Sequence, residues 1–182
     1  MITDYALRLA ENQTVSAGSA VGQHVIDLLQ ARNIGLGEPL YAVVTITTTF
    51  DALDIDPDNP VIQWVVYASD SSAKGDAATA HIVGYSSLYS CDVLGVFNRN
   101  LQKGQKISIP IGPITSYQAH PLDGANPNTT KGRRYVWFGF AVTGGDNFTA
   151  GAFSVDICTQ AMLGGTSSTS DVPIYPTGIT IA

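Results

Sequence analysis

Alternation of apolar and polar residues gives the clearest structural signal in this chain. Between Leu40 and Phe50, alternate positions carry Val44, Ile46 and Phe50 on one side and mostly threonine on the other. A period of two with many β-branched residues is typical of a strand with one buried face, so Ile46 and Phe50 mark the predicted core side. The segments Val61–Ser69 and Tyr135–Thr143 predict two further strands, rich in valine and aromatic residues.

Shorter patterns fill most of the chain between residues 25 and 158. They predict strands at Val25–Leu29, at Thr79–Tyr85 more weakly, at the end of Leu101–Pro110 and at Ala150–Cys158. Loops rich in Gly, Pro, Asn and Asp separate them, giving about seven or eight strands and almost no helix. This spacing predicts an all-β fold, an antiparallel β-sandwich, of which the jelly roll is one common form.

The two ends of the chain differ from this pattern and predict arms. Residues 1–24 are predicted to form an N-terminal arm or edge strand, within which Ala6–Asn12 could form one or two helical turns. Residues 25–158 are predicted to form the sandwich. Residues 159–182 are rich in Gly, Ser, Thr and Pro, so an unfolded tail and an arm ordered against a neighbouring subunit both remain open. Several apolar residues favour the arm. The predicted intersubunit contacts are Tyr5, Leu7, Leu9, Ile174, Tyr175, Ile179 and Ile181.

Composition and charge argue against two classes of partner. The 182 residues are 45% hydrophobic and only 13% charged, with a net charge of −6. The only basic cluster is Lys131 with Arg133 and Arg134, so we expect no direct contact with nucleic acid. No signal peptide is evident at the N-terminus, and no apolar run reaches the roughly 18 residues of a spanning helix, so we expect no membrane partner.

The residues that carry chemistry do not form a recognisable catalytic or metal-binding set. The carboxylates of Asp54, Asp56 and Asp58 have the spacing that opens a calcium loop, but the glycine and the final glutamate of that loop are missing. The histidines lie far apart, at His24, His81 and His120. The two cysteines, at positions 91 and 158, could pair only if the fold brings their Cα atoms within about 7 Å. We therefore expect no enzyme and no cofactor.

Three segments together resemble the capsid cement, or decoration, proteins of tailed phages. The first comprises Val25–Leu28, Arg32–Gly35 and Gly37–Tyr41; the second is Trp64–Asp70; the third comprises Arg134–Trp137, Val142–Gly145 and Phe148–Gly151. With their spacing they cover most of residues 25–158.

This resemblance implies a jelly-roll protein on the outer surface of an icosahedral phage head. Such a protein binds the major capsid protein and itself, as a dimer or, as second choice, a trimer, and it stabilises the shell without catalysing a reaction. The alternative from a different class is a jelly-roll receptor- or carbohydrate-binding module of a phage tail or fibre, with Trp137 or Tyr117 as a sugar platform. Trp137 and Phe138 are consecutive strand residues and point to opposite faces, so one is expected in the core.

Overall fold

The computed structural model describes residues 7–15, 18, 20–29, 39–52, 60–75, 80–90, 101–112, 114, 133–144 and 147–159. Within these residues the chain forms nine strands and no helix longer than an isolated turn. They are β1 (Arg8–Thr14), β2 (Ala20–Asp27), β3 (Leu40–Ala52), β4 (Val61–Ser69), β5 (Ala80–Tyr85), β6 (Tyr89–Ser90), β7 (Lys106–Ile111), β8 (Tyr135–Thr143) and β9 (Phe148–Thr159).

The strands form two antiparallel sheets with the connectivity of a jelly roll. One sheet has the order β1-β9-β3-β7, and the other has the order β2-β8-β4-β5 with β6 paired to β4. The pairs β1–β9, β2–β8, β3–β7 and β4–β5 are nested in the sequence. This nesting arises when a long antiparallel ribbon is rolled up, which brings β9 beside β3 and β8 beside β4. The all-β sandwich predicted from the sequence is confirmed.

The alternation in β3 works as predicted. Val44, Ile46 and Phe50 are buried in the core, whereas Thr48 is exposed where the register to β9 shifts. The same period of two buries Ile107 and Ile109 of β7 between exposed neighbours.

Aromatic side chains fill the space between the two sheets. The ring of Phe153 on β9 meets Trp64 on β4 edge-on at 5.8 Å between centroids, and it meets Phe140 on β8 at 5.4 Å. Phe50 makes a similar T-shaped contact with Phe148 at 5.0 Å. Offset and edge-on ring pairs are the favoured arrangements, so these contacts add to the stability gained from burial alone.

Hydrogen bonds join the two sheets along both of their long sides. On one side, the amide nitrogen of Glu11 in β1 donates to the side-chain oxygen of Gln23 in β2 at 2.7 Å. On the other side, the amide nitrogen of Gly112, just after β7, donates to the carbonyl of Val83 in β5 at 2.7 Å. The polar groups of the sheet edges are therefore partly satisfied within the chain, as an edge strand requires.

Residues 8–12 are not helical, although the sequence allowed one or two helical turns at Ala6–Asn12 and also predicted an edge strand in this part of the chain. Residues 8–14 are an edge strand instead, because they pair with β9 through Arg8↔Asp156 and the partners that follow. The Arg8 side chain reinforces this pairing by donating to Asp156 at 3.0 Å and to Glu11 at 2.8 Å. The strand β2 also begins earlier than predicted, at Ala20.

Candidate interaction surface

The most unusual surface of the described chain lies on and just after β5. Three large apolar side chains are exposed within one short stretch: Ile82 at 60%, Tyr85 at 66% and Leu88 at 64%. Single exposed apolar residues are common on protein surfaces, but several together mark a binding site. We call these three residues the β5 patch.

An irregularity in β5 places two members of the patch on the same face. Tyr85 pairs with Val65 of β4, and Ile82 pairs with Tyr67, with a register shift between them. Val65 and Tyr67 are two residues apart and therefore share the outer face of the sheet. Because the bulge absorbs one residue, Ile82 and Tyr85 also share that face although they are three residues apart.

The backbone under the patch is held firmly by hydrogen bonds around Ser86. The amide of Ser86 donates to the carbonyl of Trp64 at 2.9 Å, and its hydroxyl accepts from the amide of Trp64 at 3.0 Å. The side-chain amide of Gln63 donates to the Ser86 carbonyl at 3.0 Å. Leu88 follows two residues later, just before β6 pairs with β4. Ile82 and Tyr85 thus project from a backbone that is hydrogen-bonded to β4, and such ordering lowers the entropy cost of binding a partner.

A shallow open cleft of about 430 Å³ lies beside Ile82 and Tyr85, two of the three residues of the patch. It is lined by residues 82–85 and by Pro110 of β7. Gly84 permits this close approach of the two sheets, since a Cβ atom there would lie 2.6 Å from the carbonyl oxygen of Pro110. The cleft is apolar and open to solvent, so it suits a side chain or an extended segment better than a small substrate.

The sequence interpretation missed this surface. It treated Thr79–Tyr85 as a weak strand, and simple alternation would place Ile82 and Tyr85 on opposite faces. The sequence offers one weak signal for this surface: small and polar residues precede Ile82 and follow Tyr85. Many strands are flanked in this way, so the signal does not distinguish a binding surface from an ordinary strand.

The predicted sugar platform at Trp137 does not exist as an open surface. Phe138 lies in the core as expected for one of the pair, and Trp137 is on the opposite face of β8 but is only 2% exposed. The ring of Tyr67 stacks on Trp137 at 4.1 Å between centroids, and the absence of a side chain at Gly139 makes room for the Tyr67 ring. Burial raises the pKa of Tyr67. The other predicted platform residue, Tyr117, lies outside the described residues.

The predicted basic cluster is largely engaged within the fold. The guanidinium group of Arg134 donates twice to the carboxylate of Asp27, at 2.6 and 2.7 Å, and it lies over the ring of Tyr135 at 5.0 Å. The hydrogen bonds from Arg134 lower the pKa of Asp27, and the pair raises the pKa of Arg134. Arg133 is only 2% exposed, and burial lowers its pKa. Lys131 lies outside the described residues.

The predicted contact residues fall into two groups. Leu9 is fully buried in the core of its own chain, and Leu7 is partly buried against that core. Leu9 is therefore not on the surface, because β1 turns this side chain inward when it pairs with β9. The remaining predicted contacts lie outside the described residues: Tyr5, Ile174, Tyr175, Ile179 and Ile181.

The described residues contain no group of three or more His, Cys, Asp or Glu side chains that could hold a metal ion. His24 lies on β2 and His81 on β5, at opposite edges of one sheet. Cys158 is a free, buried thiol whose pKa is raised to about 11 by burial and by the nearby Asp156. The other predicted candidates, Asp54, Asp56, Asp58, His120 and Cys91, lie outside the described ranges.

In the part of the chain that the structure describes, no helix is long and apolar enough to cross a membrane. No protein-family model matches the chain, and a search of curated proteins finds no match.

Proposed function

We propose that this chain is a structural virion protein: a capsid cement, or decoration, protein that bridges and stabilises major capsid proteins on the outer surface of an icosahedral phage head. The observation that carries the proposal is the β5 patch, in which large apolar side chains are exposed on a firmly held backbone. Such an arrangement is typical of a surface that binds another protein. It supports an interaction role and assigns no reaction to the chain.

The three segments that resemble cement proteins supply the strands around this surface. The second segment forms β4, which carries β5 and its patch, and the third spans β8 and the start of β9. The first contributes the end of β2 and the start of β3. The residues behind the resemblance are thus framework residues, and the jelly roll they build is a fold common among capsid proteins.

A cement protein gains strength by repetition. Each copy makes modest contacts, and symmetry repeats them over the shell, so the total binding far exceeds that of one site. The net charge of −6 can complement basic patches on a capsid surface. In this proposal, residues of the N-terminal segment and of the segment after Thr159 add contacts between subunits. A homodimer across the capsid two-fold axes is the first choice and a trimer the second; neither nucleic acid nor a membrane is a partner.

Quantitative mass spectrometry of purified particles that carry this protein tests the proposal. The expected result is a copy number comparable to that of the major shell protein. A few copies for each particle would overturn the cement role in favour of a tail or fibre component. Absence from the particles would overturn every virion role.

Binding of variants to shells that lack the protein tests the surface itself. Replacing Ile82 and Tyr85 together with serine should reduce occupancy, because the patch loses its two largest cleft-lining side chains. The matched control is Val21→Ser, which alters an apolar side chain 36% exposed at the opposite edge of the same sheet. Truncation of residues 160–182 should also weaken binding. Equal occupancy for the patch variant and the control would exclude the patch from the shell contact.

The alternative function is a receptor- or carbohydrate-binding module of a tail or fibre. One observation favours it: the ring of Tyr85 is largely exposed at an open cleft. An aromatic ring with one apolar face and a polar tip can support a sugar. Glycan binding by the isolated protein that is lost in Tyr85→Ser, together with a low copy number in particles, would establish this role instead.

A further inference from the structure

The outer face of the sheet β2-β8-β4-β5 is apolar well beyond the β5 patch. Strand pairing places Ile82 of the patch beside Tyr67, Tyr67 beside Trp137, and Trp137 beside Val25. Directly paired residues point to the same side of a sheet, so these side chains form one row across all four strands. The row is open at Ile82, which is 60% exposed, and closed at Trp137, which is 2% exposed. One half of this face is therefore covered and the other half is open.

Residues 70–75, which follow β4, reach across this face to β2. In the sheet, β8 lies between these two strands. A Cβ atom at Gly75 would nevertheless lie only 3.4 Å from a side-chain carbon of Val21 in β2. Val21 pairs with Gly139, which is two positions from Trp137 in β8 and therefore on the same side of the sheet. The segment thus crosses β8 over Trp137, and we call residues 70–75 the strap.

Lys74 holds the strap on β2. Its side-chain ammonium group donates to the carbonyl oxygens of Gly22 and Gln23, at 2.9 and 2.6 Å. These carbonyls lie where the register between β2 and β8 shifts, between Val21 and Val25. Such an irregularity leaves backbone groups out of the ladder, and those groups need another partner. The ammonium group supplies it, and hydrogen bonds from a charged donor are stronger than those between neutral groups.

Two features favour opening of the strap. Asp70 and residues 72–75 are exposed, so the strap buries little surface of its own, and segments of this kind open most easily. Beneath the strap, the indole nitrogen of Trp137 is buried and has no hydrogen-bond partner among the described residues. An unsatisfied buried donor costs free energy, and water can bind this donor once the strap leaves.

From the geometry we infer that the strap is a displaceable cover of Trp137 and that Lys74 is the latch that holds it closed. Opening breaks the hydrogen bonds of Lys74 and leaves both sheets intact, because the strap lies outside the strands. It adds the rings of Tyr67 and Trp137 to the open half of the face beside Ile82. The strap therefore sets how much of this face is accessible. The inference concerns the isolated protein and does not rest on the proposed role in a virion.

Hydrogen exchange at the two indole N–H groups of the full-length chain tests this opening. The chain has two tryptophans, and Trp64 is the internal control, because it is fully buried in the core and its indole nitrogen also has no partner in the described part of the chain. Exchange at Trp64 requires the two sheets to separate, whereas exchange at Trp137 requires only the strap to open. In NMR of isotope-labelled protein, Trp137 should therefore exchange at least about tenfold faster than Trp64.

Substitution of Lys74 tests the latch. Lys74→Met keeps the length of the apolar stem and removes the donors. Exchange at Trp137 should accelerate by about tenfold or more, as expected for the loss of hydrogen bonds from a charged group, while exchange at Trp64 stays unchanged. The matched control is Lys103→Met, which alters an exposed lysine before β7 and should change neither rate.

A disulfide between Val21→Cys and Gly75→Cys, in a Cys91→Ser background, locks the strap in place. The 3.4 Å approach at these positions suits such a bond. Oxidation should slow exchange at Trp137 to the rate of Trp64, and reduction should restore the faster rate. Comparing the oxidised and reduced forms of one protein cancels the effect of the φ of +84° at position 75.

Three results would overturn the inference: equal exchange rates at Trp137 and Trp64 in the parent, an equal response to Lys74→Met and Lys103→Met, or an unchanged Trp137 rate after the cysteine pair is oxidised. Equal acceleration of both indoles by Lys74→Met would also overturn it, because Lys74 would then support the whole fold. None of these results bears on copy number in particles, so the virion role stands or fails separately.

Discussion

The substitution Gly84→Ala gives the sharpest test of how the two sheets meet beside the β5 patch. The new Cβ atom would lie 2.6 Å from the carbonyl oxygen of Pro110 and 3.3 Å from a methyl group of Ile109. Ordinary contact requires about 3.4 Å or more, so β5 and β7 must separate locally by about 0.8 Å. Neither neighbour can yield easily, since one is backbone and the other is a side chain in the core.

The energetic cost follows from two effects. Crowding a packed site costs about 1 to 3 kcal/mol. The same displacement would stretch the 2.7 Å hydrogen bond from Gly112 to Val83 toward the limit of a useful interaction, and weakening such a bond costs about 1 to 3 kcal/mol. Alanine restricts the unfolded chain more than glycine does, and this effect stabilises the folded state by up to about 1 kcal/mol. Together these effects span about 1 to 6 kcal/mol, and we expect Gly84→Ala to lose about 3 kcal/mol, near the middle of that range, in the free energy of unfolding.

Urea denaturation and thermal melting measure this loss. For a chain of this size the expected drop in Tm is roughly 10 °C. The control is Gly104→Ala, where nothing lies within 4 Å of the new Cβ atom and only the φ of +91° opposes alanine. That strain costs about 1 to 2 kcal/mol. If Gly84→Ala is no less stable than Gly104→Ala, the close approach of β5 to β7 is refuted.

Three further predictions concern the core, an ion pair and a thiol. Phe153→Ala should lower the free energy of unfolding by about 3 to 5 kcal/mol. Phe153→Leu should lower it by less than about half of that amount. A loss below about 1 kcal/mol for the alanine variant would contradict the packing of this ring. Because Arg134 lowers the pKa of Asp27 below its usual 3.8, this carboxylate stabilises the fold above that pH, and its contribution is lost as the pH falls through the lowered pKa. In pH-dependent melting, Asp27→Asn should therefore be less stable than the parent at neutral pH and equal to it in strong acid; parallel curves would refute the pairing. With a pKa of about 11, the thiol of Cys158 should be about one-thousandth ionised at pH 8. In a Cys91→Ser background, Cys158 should therefore react with a thiol reagent only after denaturation. Rapid labelling of the native protein would contradict its burial.

The resemblance to phage cement proteins stays a prediction, as does the role of the terminal segments between subunits. The structure does change how both are tested. Leu9 belongs to the core, so replacing it would destabilise the fold and would not report on an interface. The β5 patch is a better target, since its side chains are exposed and can be replaced without creating a cavity.

The sequence determined the strongest strands because their signals are local. In β3, β4 and β8 the β-branched and aromatic residues are dense, and the predicted bounds of Val61–Ser69 and Tyr135–Thr143 agree with the structure. A period of two also identified the buried face of β3, since side chains alternate across a strand whatever its partners are.

The weaker elements were decided by partners distant in the sequence. Residues 8–14 have no strong strand pattern, and they became β1 because β9 offers an edge to pair with. Trp137 points away from the core as alternation requires, but only the neighbouring strand could bring the ring of Tyr67 over it.

The β5 patch belongs to this second class. Whether Ile82 and Tyr85 share a face depends on one bulge in the pairing of β5 with β4, and a shift of one residue reverses the side on which a residue lies. The sequence by itself thus determined an all-β sandwich and the core side of its longest strand, because hydrophobic periodicity is a property of each strand. Only the tertiary structure decided which apolar residues remain exposed, because exposure depends on register and on the neighbouring sheet.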